Sequence, residues 1–323
     1  MMQTVFQPSR RSAMTMLGAA LLAPRVGLAA PVEIMSGAAF GTYWQISAPD
    51  GGGASELAAD IQQLFDGIDR VFSPWRSDST ISRFNRGRAG ATDPAFIEVT
   101  TAGLEIARKS EGAFDPTVGP LVAQWGFGPV MQGSAPDWRA LSVGPDLLTG
   151  ARADLTLDLC GIAKGWALDR AAGLARDAGF DNLLIDLGGE LYAQGQHPAG
   201  RDWHVAIEAP LPMHSAPAVL RLPTGAAVAT SGTRAQSYQL NGRTYSHIID
   251  PLTRAPAAGG LRSVTVVAPD AMTADGWATA LCAAGASAGP DLATTQDITA
   301  LFLIEQEGTL RALRTGQISQ FIL

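Results

Sequence analysis

Apolar residues recur at Leu57, Ile61, Leu64, Ile68 and Val71 through "ELAADIQQLFDGIDRVFS" (Glu56–Ser73). That three-to-four spacing predicts an amphipathic helix. A second helix is predicted over Ala95–Ser110, with the polar "PWRSDSTISRFN" (Pro74–Asn85) as a loop between the two. "VEIMSGAAFGTYWQISA" (Val32–Ala48) reads as β with a glycine-centred bend, and "NLLIDLGGELYAQG" (Asn182–Gly195) as a hairpin. "DLTLDLCGIAKGWALDRAAGLARDAGF" (Asp154–Phe180) predicts a short strand entering a long helix. Strand-like runs follow at Trp203–Pro210, Gly225–Gly232, Arg243–Asp250 and Leu261–Pro269. The apolar helix "TADGWATALCAAG" (Thr273–Gly285) comes next, then the pair "ITALFLIE" and "TLRALR". Glu111–Gly128 is punctuated by glycine and proline and predicts no continuous element. Helices and strands do not alternate regularly, which favours an α+β fold over a doubly wound sheet. No short-period repeat or long linker divides the chain, so one domain is expected over 31–323.

Residues 1–30 follow a different pattern. Arg10 and Arg11 precede an apolar run, Ala13–Ala23, too short to span a bilayer, and "GLAA" (Gly27–Ala30) offers small residues for cleavage. This predicts a cleaved signal peptide, with the paired arginines pointing to twin-arginine export and a periplasmic mature protein. Removing it takes three arginines and no acids, moving the formal charge from −7 to −10. An acidic chain argues against nucleic acid as a partner, and the mature sequence predicts no transmembrane segment. Cys160 and Cys282, the two cysteines, permit a disulfide but make no framework, and buried free thiols fit their apolar surroundings as well.

Five positions could carry chemistry. Lys164 is one of two lysines among 23 basic residues and is flanked by Gly161 and Gly165, which would let a backbone approach a ligand. A compact ammonium there suits phosphate oxygens, though a surface helix lysine explains it equally. Asp275 and Thr279, four apart on an apolar helix, share one face. They could ligate a hard cation such as Mg²⁺. The alternative is an aspartate favoured by the helix dipole and a threonine bonded back to its own helix. His247 has no histidine partner at metal-ligand spacing, which argues against zinc. Asp115 reads by default as a turn carboxylate.

Together the segments resemble the ApbE family of FAD:protein FMN transferases. "FGTYWQI", "FSPWRSDSTISRFN", "GAFDPTVGPLVAQWGFG", the stretch "LDLCGIAKGWALDR" through "GGELYAQG", "WHVAIEAP", "ATSGT", "YSHIIDPLTRAP" and "VTVVAPDAMTADGWATAL" occur in family order from Phe40 to about Leu281. The resemblance implies an α+β, T-fold-type domain of duplicated halves that binds FAD and Mg²⁺. It implies transfer of the FMN half of FAD to a Thr or Ser hydroxyl on a partner protein, with AMP released. By the same resemblance the metal is held by Asp275, Thr279 and the backbone of Ala163. Flavin and nucleotide contacts fall to Phe40, Trp75, Phe114, Asp115, Cys160, Lys164, Trp166 and Ile249. His247 or Asp275 would take the proton of the incoming hydroxyl.

Three positions depart from the family pattern: Phe40 where methionine usually precedes "GT", Cys160 where a small or hydroxyl residue is common, and Arg254 in place of the glycine of "DPxTGxP". Two rival activities share the implied site. One is a metal-dependent FAD pyrophosphatase, in which water replaces the protein hydroxyl; the other is flavin binding without turnover. The export signal is similar to that of NosX-type members. This implies an acceptor in a membrane electron-transfer system, either a NosR-like regulator or a subunit of an Rnf- or Nqr-type complex.

Overall fold

The computed structural model describes residues 31–51, 54–87, 92–210, 216–234, 236–240, 243–257 and 259–323, so the predicted signal segment lies outside the described residues. The chain begins with the hairpin β1 (Val32–Ala39) and β2 (Thr42–Pro49), followed by α1 (Ala54–Phe72), α2 (Thr80–Asn85), α3 (Pro94–Lys109) and α4 (Gly119–Gln124). A small ribbon, β3 (Leu141–Val143) and β4 (Leu148–Gly150), precedes α5 (Ala163–Asp177) and the hairpin β5 (Leu183–Leu187) and β6 (Glu190–Gln194). A second ribbon, β7 (Trp203–Ala206) and β8 (Val219–Leu222), leads to β9 (Ala227–Gly232). Two short hairpins follow, β10 (Ser237–Leu240) with β11 (Arg243–Ser246), and β12 (Ile249–Asp250) with β13 (Ala255–Pro256). The chain closes with β14 (Leu261–Ala268), α6 (Ala271–Thr295), β15 (Ala300–Gln306) and β16 (Thr309–Thr315).

Among the described residues eight strands form one antiparallel sheet in the order β1-β2-β5-β6-β9-β14-β15-β16. The order splits into two similar halves. In each, a strand pair, a helical segment and a second strand pair follow one another, and β6 joins β9 at the seam. This is the α+β architecture of duplicated halves. Period-two alternation sends Ile185, Leu187, Ala229, Val264 and Phe302 towards the helices. Ala193, Val228, Leu301 and Leu303 face the other way, under β7, β8 and Ile318.

The helices form where the apolar pattern and their caps agree. α1 buries Leu57, Ile61, Phe65, Ile68 and Phe72, a stripe one residue over from the predicted Leu64 and Val71, which stay at its margin. Asp93 caps α3 by accepting from Phe96 N at 3.1 Å, and Pro94 occupies the first turn, where no N–H is needed. α6 is apolar nearly all round, which suits its burial, and it breaks at Gly285 (φ 79°, ψ −175°).

Three expectations are corrected. Pro74–Asn85 is not all loop, because Ser79 caps α2 within it and accepts from Ser82 N at 3.1 Å. No strand enters α5: Leu155, Leu157 and Leu159 are buried, but their backbone joins no ladder. The Asn85 side chain takes both groups of Leu157 (2.7 and 2.8 Å), and Asp158 N donates to Pro116 O at 2.7 Å. The run Arg243–Asp250 is also divided, with His247 and Ile248 between β11 and β12.

α5 and α6 meet at their N-terminal ends, and each end is capped by the other helix. Ile162 gives α5 no side-chain cap, and Gly165 N donates instead to Asp275 Oδ2 of α6 at 2.9 Å. In return Asp169 of α5 accepts from Ala271 N (2.7 Å) and Met272 N (2.9 Å) at the start of α6. The crossing is flush: a Cβ on Gly165 would stand 2.1 Å from Ala271 O. Gly165→Ala therefore forces the two backbones apart. It is expected to lower stability by about 3 kcal/mol in a denaturant titration, with loss of the Gly165–Asp275 bond; an unchanged midpoint would contradict this packing.

Candidate active site

The helix crossing opens onto the sheet seam, and three charged side chains gather there. Lys164, on the first turn of α5, reaches Glu190 at the start of β6 with Nζ 2.5 Å from Oε1. Glu190 is 3% exposed, and its second oxygen has no hydrogen-bond partner among the described residues. Asp275, also 3% exposed, commits Oδ2 to Gly165, while Oδ1 carries no hydrogen bond among the described residues. Burial pushes both carboxyls above their ordinary range, and Lys164 opposes the rise. Burial alone would lower the Lys164 ammonium, but Glu190 and then Asp275 outweigh it and hold it above its usual value.

Thr279 lies one turn beyond Asp275 on the same face. Its hydroxyl is 3.4 Å from Ser231 Oγ of β9, and a Cβ on Gly161 would approach it within 3.0 Å. Gly161 is thus the close-approach glycine that brings the segment before α5 against α6. Ala163, the first residue of α5, stands beside it. Among the described residues no three His, Cys, Asp or Glu side chains converge into a metal cage. A cation here would take oxygen from Asp275 Oδ1, the Thr279 hydroxyl and the Ala163 carbonyl, leaving further positions for water and a ligand oxygen. Such a sparse, all-oxygen set suits Mg²⁺ and is foreign to zinc.

Cys160 precedes Gly161, and its N–H donates to Asp158 Oδ1 at 3.0 Å. Burial, with Asp158 next, pushes the thiol well above its ordinary range, so it stays protonated. Both cysteines are free thiols. His247 follows the β10–β11 hairpin. Its Nδ1 lies 3.2 Å from Gln236 O, and Phe127 meets its ring edge-on at 6.3 Å between centroids. Burial lowers the imidazole below 6.5; the Gln236 contact works upward and the charge of Lys164 downward. That last influence places His247 within electrostatic reach of the cluster.

The structure thus brings together Lys164, Ala163, Asp275 and Thr279, with Cys160 and His247 at the margin. The other expected residues have settings of their own. Trp166 is two residues from Lys164, about 200° around the helix, and packs on Phe72 (5.5 Å) beneath Arg170. Phe114 is buried in the helical core, against Gly103 of α3. Asp115 accepts from Thr117 N (2.8 Å) and Thr117 Oγ1 (2.6 Å), the turn arrangement that its sequence allows. Trp75 is 63% exposed in the turn after α1. Phe40 sits at the β1–β2 turn (φ 51°), edge-on to Phe65. Ile249 is buried in β12 opposite Pro256. Arg254 adopts φ 60°, the left-handed conformation that glycine would occupy more easily. Glu190 and Ser231 went unrecognised in the sequence; the one available signal for Glu190 was an acid closing the glycine turn of an apolar hairpin.

This arrangement has counterparts among known proteins. The ApbE family profile matches residues 40–302. FAD:protein FMN transferase from Klebsiella pneumoniae (strain 342) is 34% identical, covering 91% of this chain and 89% of its own. The Salmonella typhimurium protein of the same name is also 34% identical, covering 93% and 91%. Among solved structures, flavin transferase ApbE from Vibrio cholerae superimposes with a TM-score of 0.79 at 30% identity, over 90% of this chain and all of that one. The apo Pseudomonas stutzeri flavinyl transferase ApbE does so with a TM-score of 0.80 at 30% identity, over 91% and 98%. Profile, sequence and fold agree over nearly the whole described chain, which belongs to the ApbE family.

Proposed function

We propose that this protein is an FAD:protein FMN transferase that moves the FMN half of FAD onto a Thr or Ser hydroxyl of a partner protein and releases AMP. The observation that carries this reading is the meeting of Lys164, Asp275 and Thr279 where α6 crosses the N-terminus of α5. Diphosphate is the ligand chemistry such a place favours, since α5 presents the positive end of its dipole there and Lys164 adds a full charge.

In the transfer, the acceptor hydroxyl oxygen forms a bond to the FMN phosphorus while the bond from that phosphorus to the AMP phosphate oxygen breaks. AMP carries away the electron pair, and the hydroxyl proton passes to a base. His247 fits that base. Gln236 O accepts from Nδ1–H, which leaves Nε2 with its lone pair, and the lowered pKa keeps the ring neutral near pH 7. Lys164 neutralises phosphate charge, and Glu190 holds its ammonium in place. Asp275, Thr279 and Ala163 would hold Mg²⁺, which when bound polarises the phosphoryl oxygens. Cys160 offers its protonated thiol to the bound nucleotide rather than a nucleophile.

Two further readings share the geometry. Water in place of the protein hydroxyl gives an FAD pyrophosphatase, and binding without turnover gives a flavin carrier. Asp275 is buried yet leaves Oδ1 without a hydrogen bond among the described residues, which favours an enzyme, because a carrier has no need to keep such a group. Export by the twin-arginine segment and an acceptor in a membrane electron-transfer system, NosR-like or of Rnf or Nqr type, complete the proposal. Among the described residues no helix is long and apolar enough to cross a membrane.

Incubation with FAD, Mg²⁺ and a candidate acceptor is expected to yield an acceptor mass increased by one FMN, together with AMP. Free FMN without an adduct would favour hydrolysis, and intact FAD would favour the carrier. Asp275→Ala is expected to abolish Mg²⁺-dependent AMP release. His247→Gln should slow transfer roughly 100-fold or more while FAD binding persists. Because the His247 pKa is lowered, its base form survives below pH 6.5, and the transfer rate should fall only as pH drops further. A rate limb at or above 6.5, or one retained in His247→Gln, would remove His247 from this role.

A further inference from the structure

The first turn of α6 is held from outside the helix. Three consecutive N–H groups find carboxylates there: Ala271 N and Met272 N donate to the two oxygens of Asp169, and Thr273 N donates to Asp270 Oδ1 at 2.8 Å. Asp270 caps its own helix. Asp169 belongs to α5, and its carboxylate spans two neighbouring N–H groups at 2.7 and 2.9 Å.

We propose that Asp169 is a positioning residue for the cation-binding pair Asp275 and Thr279, acting through the N-terminus of α6. The inference rests on the metal reading of that pair given above. A single hydrogen bond between helices leaves a pivot, whereas a two-pronged grip on consecutive N–H groups fixes rotation and translation together. Asp275 lies one turn beyond Ala271, so its direction follows the register of α6 on α5. The same register brings Asp275 Oδ2 to Gly165 N and leaves Oδ1 for a cation.

Among the described residues nothing else supports that end of α6 in the same way. Arg170, adjacent to Asp169, is engaged by Glu98 at 2.5 Å and lies over the Trp166 ring, and Asp169 makes no ion pair among the described residues. Its partners are the two backbone N–H groups. Burial pushes its carboxyl up to about 6, so it is ionised at mildly alkaline pH, where both oxygens accept. Without Asp169, Ala271 N and Met272 N lose their acceptors and the first turn of α6 is free to shift. Asp275 then loses its aim while the rest of the flavin site stays in place.

The test is Mn²⁺ binding to the full FAD-free protein, followed by electron paramagnetic resonance. Asp169→Ala is expected to weaken Mn²⁺ roughly 10-fold or more, as losses of supporting contacts around metal ligands do. Asp169→Asn, which keeps one acceptor, should fall between Ala and the wild type, and it carries the test alone should the alanine variant fail to fold. In steady-state transfer, KM for Mg²⁺ should rise with KM for FAD unmoved, a split that a general loss of folded protein would not produce. Folded Asp169 variants with Mn²⁺ affinity within about twofold of wild type would overturn the inference. Asp275→Ala is measured alongside. If that variant loses Mn²⁺ and the Asp169 variants do not, this inference alone fails; if it binds Mn²⁺ normally, the metal reading fails and takes this inference with it.

Discussion

Two helix N-termini cannot be buried against one another unless something accepts their free N–H groups. In this protein each helix supplies the acceptor for the other: Asp275 of α6 serves Gly165, and Asp169 of α5 serves Ala271 and Met272. The exchange works only because Gly165 lets the backbones touch. It also ties the two halves of the sheet together, since α5 precedes the last hairpin of the first half and α6 lies within the second. The catalytic proposal depends on that junction more than on any single side chain.

The charge balance follows from it. Two buried carboxylates, Glu190 and Asp275, share one ammonium, Lys164, which leaves the cluster one charge negative when all are ionised. Burial penalises each carboxylate, so an added cation is welcome, and a diphosphate would in turn balance that cation and Lys164. Lys164 cannot serve both carboxylates fully. Its contact with Glu190 leaves the free oxygen of Asp275 to another partner, and the Thr279 hydroxyl on the same face defines where that partner would sit.

Much of this was legible in the sequence because it rests on local periodicity. The spacing of Leu57, Ile61 and Ile68 announced α1, and the glycine pair before Glu190 announced the β5–β6 hairpin. Asp275 and Thr279 were placed together by helical geometry alone. What failed was decided by distant partners. Leu155, Leu157 and Leu159 alternate like a strand, yet the Asn85 side chain takes the hydrogen bonds that a ladder would have used. Asp169 gave no signal, because an acid in a helix announces nothing until its partner is known, and Glu190 gave only its place after a glycine turn.

The central claim is that the α5–α6 junction places a cation and a diphosphate side by side. Anomalous diffraction from crystals grown with FAD and Mn²⁺ tests it most directly. The account predicts a single strong peak bounded by Asp275 Oδ1, the Thr279 hydroxyl and the Ala163 carbonyl, with the FAD diphosphate touching both the metal and Lys164. A metal bound elsewhere, or a diphosphate lying away from the two helix ends, would contradict it.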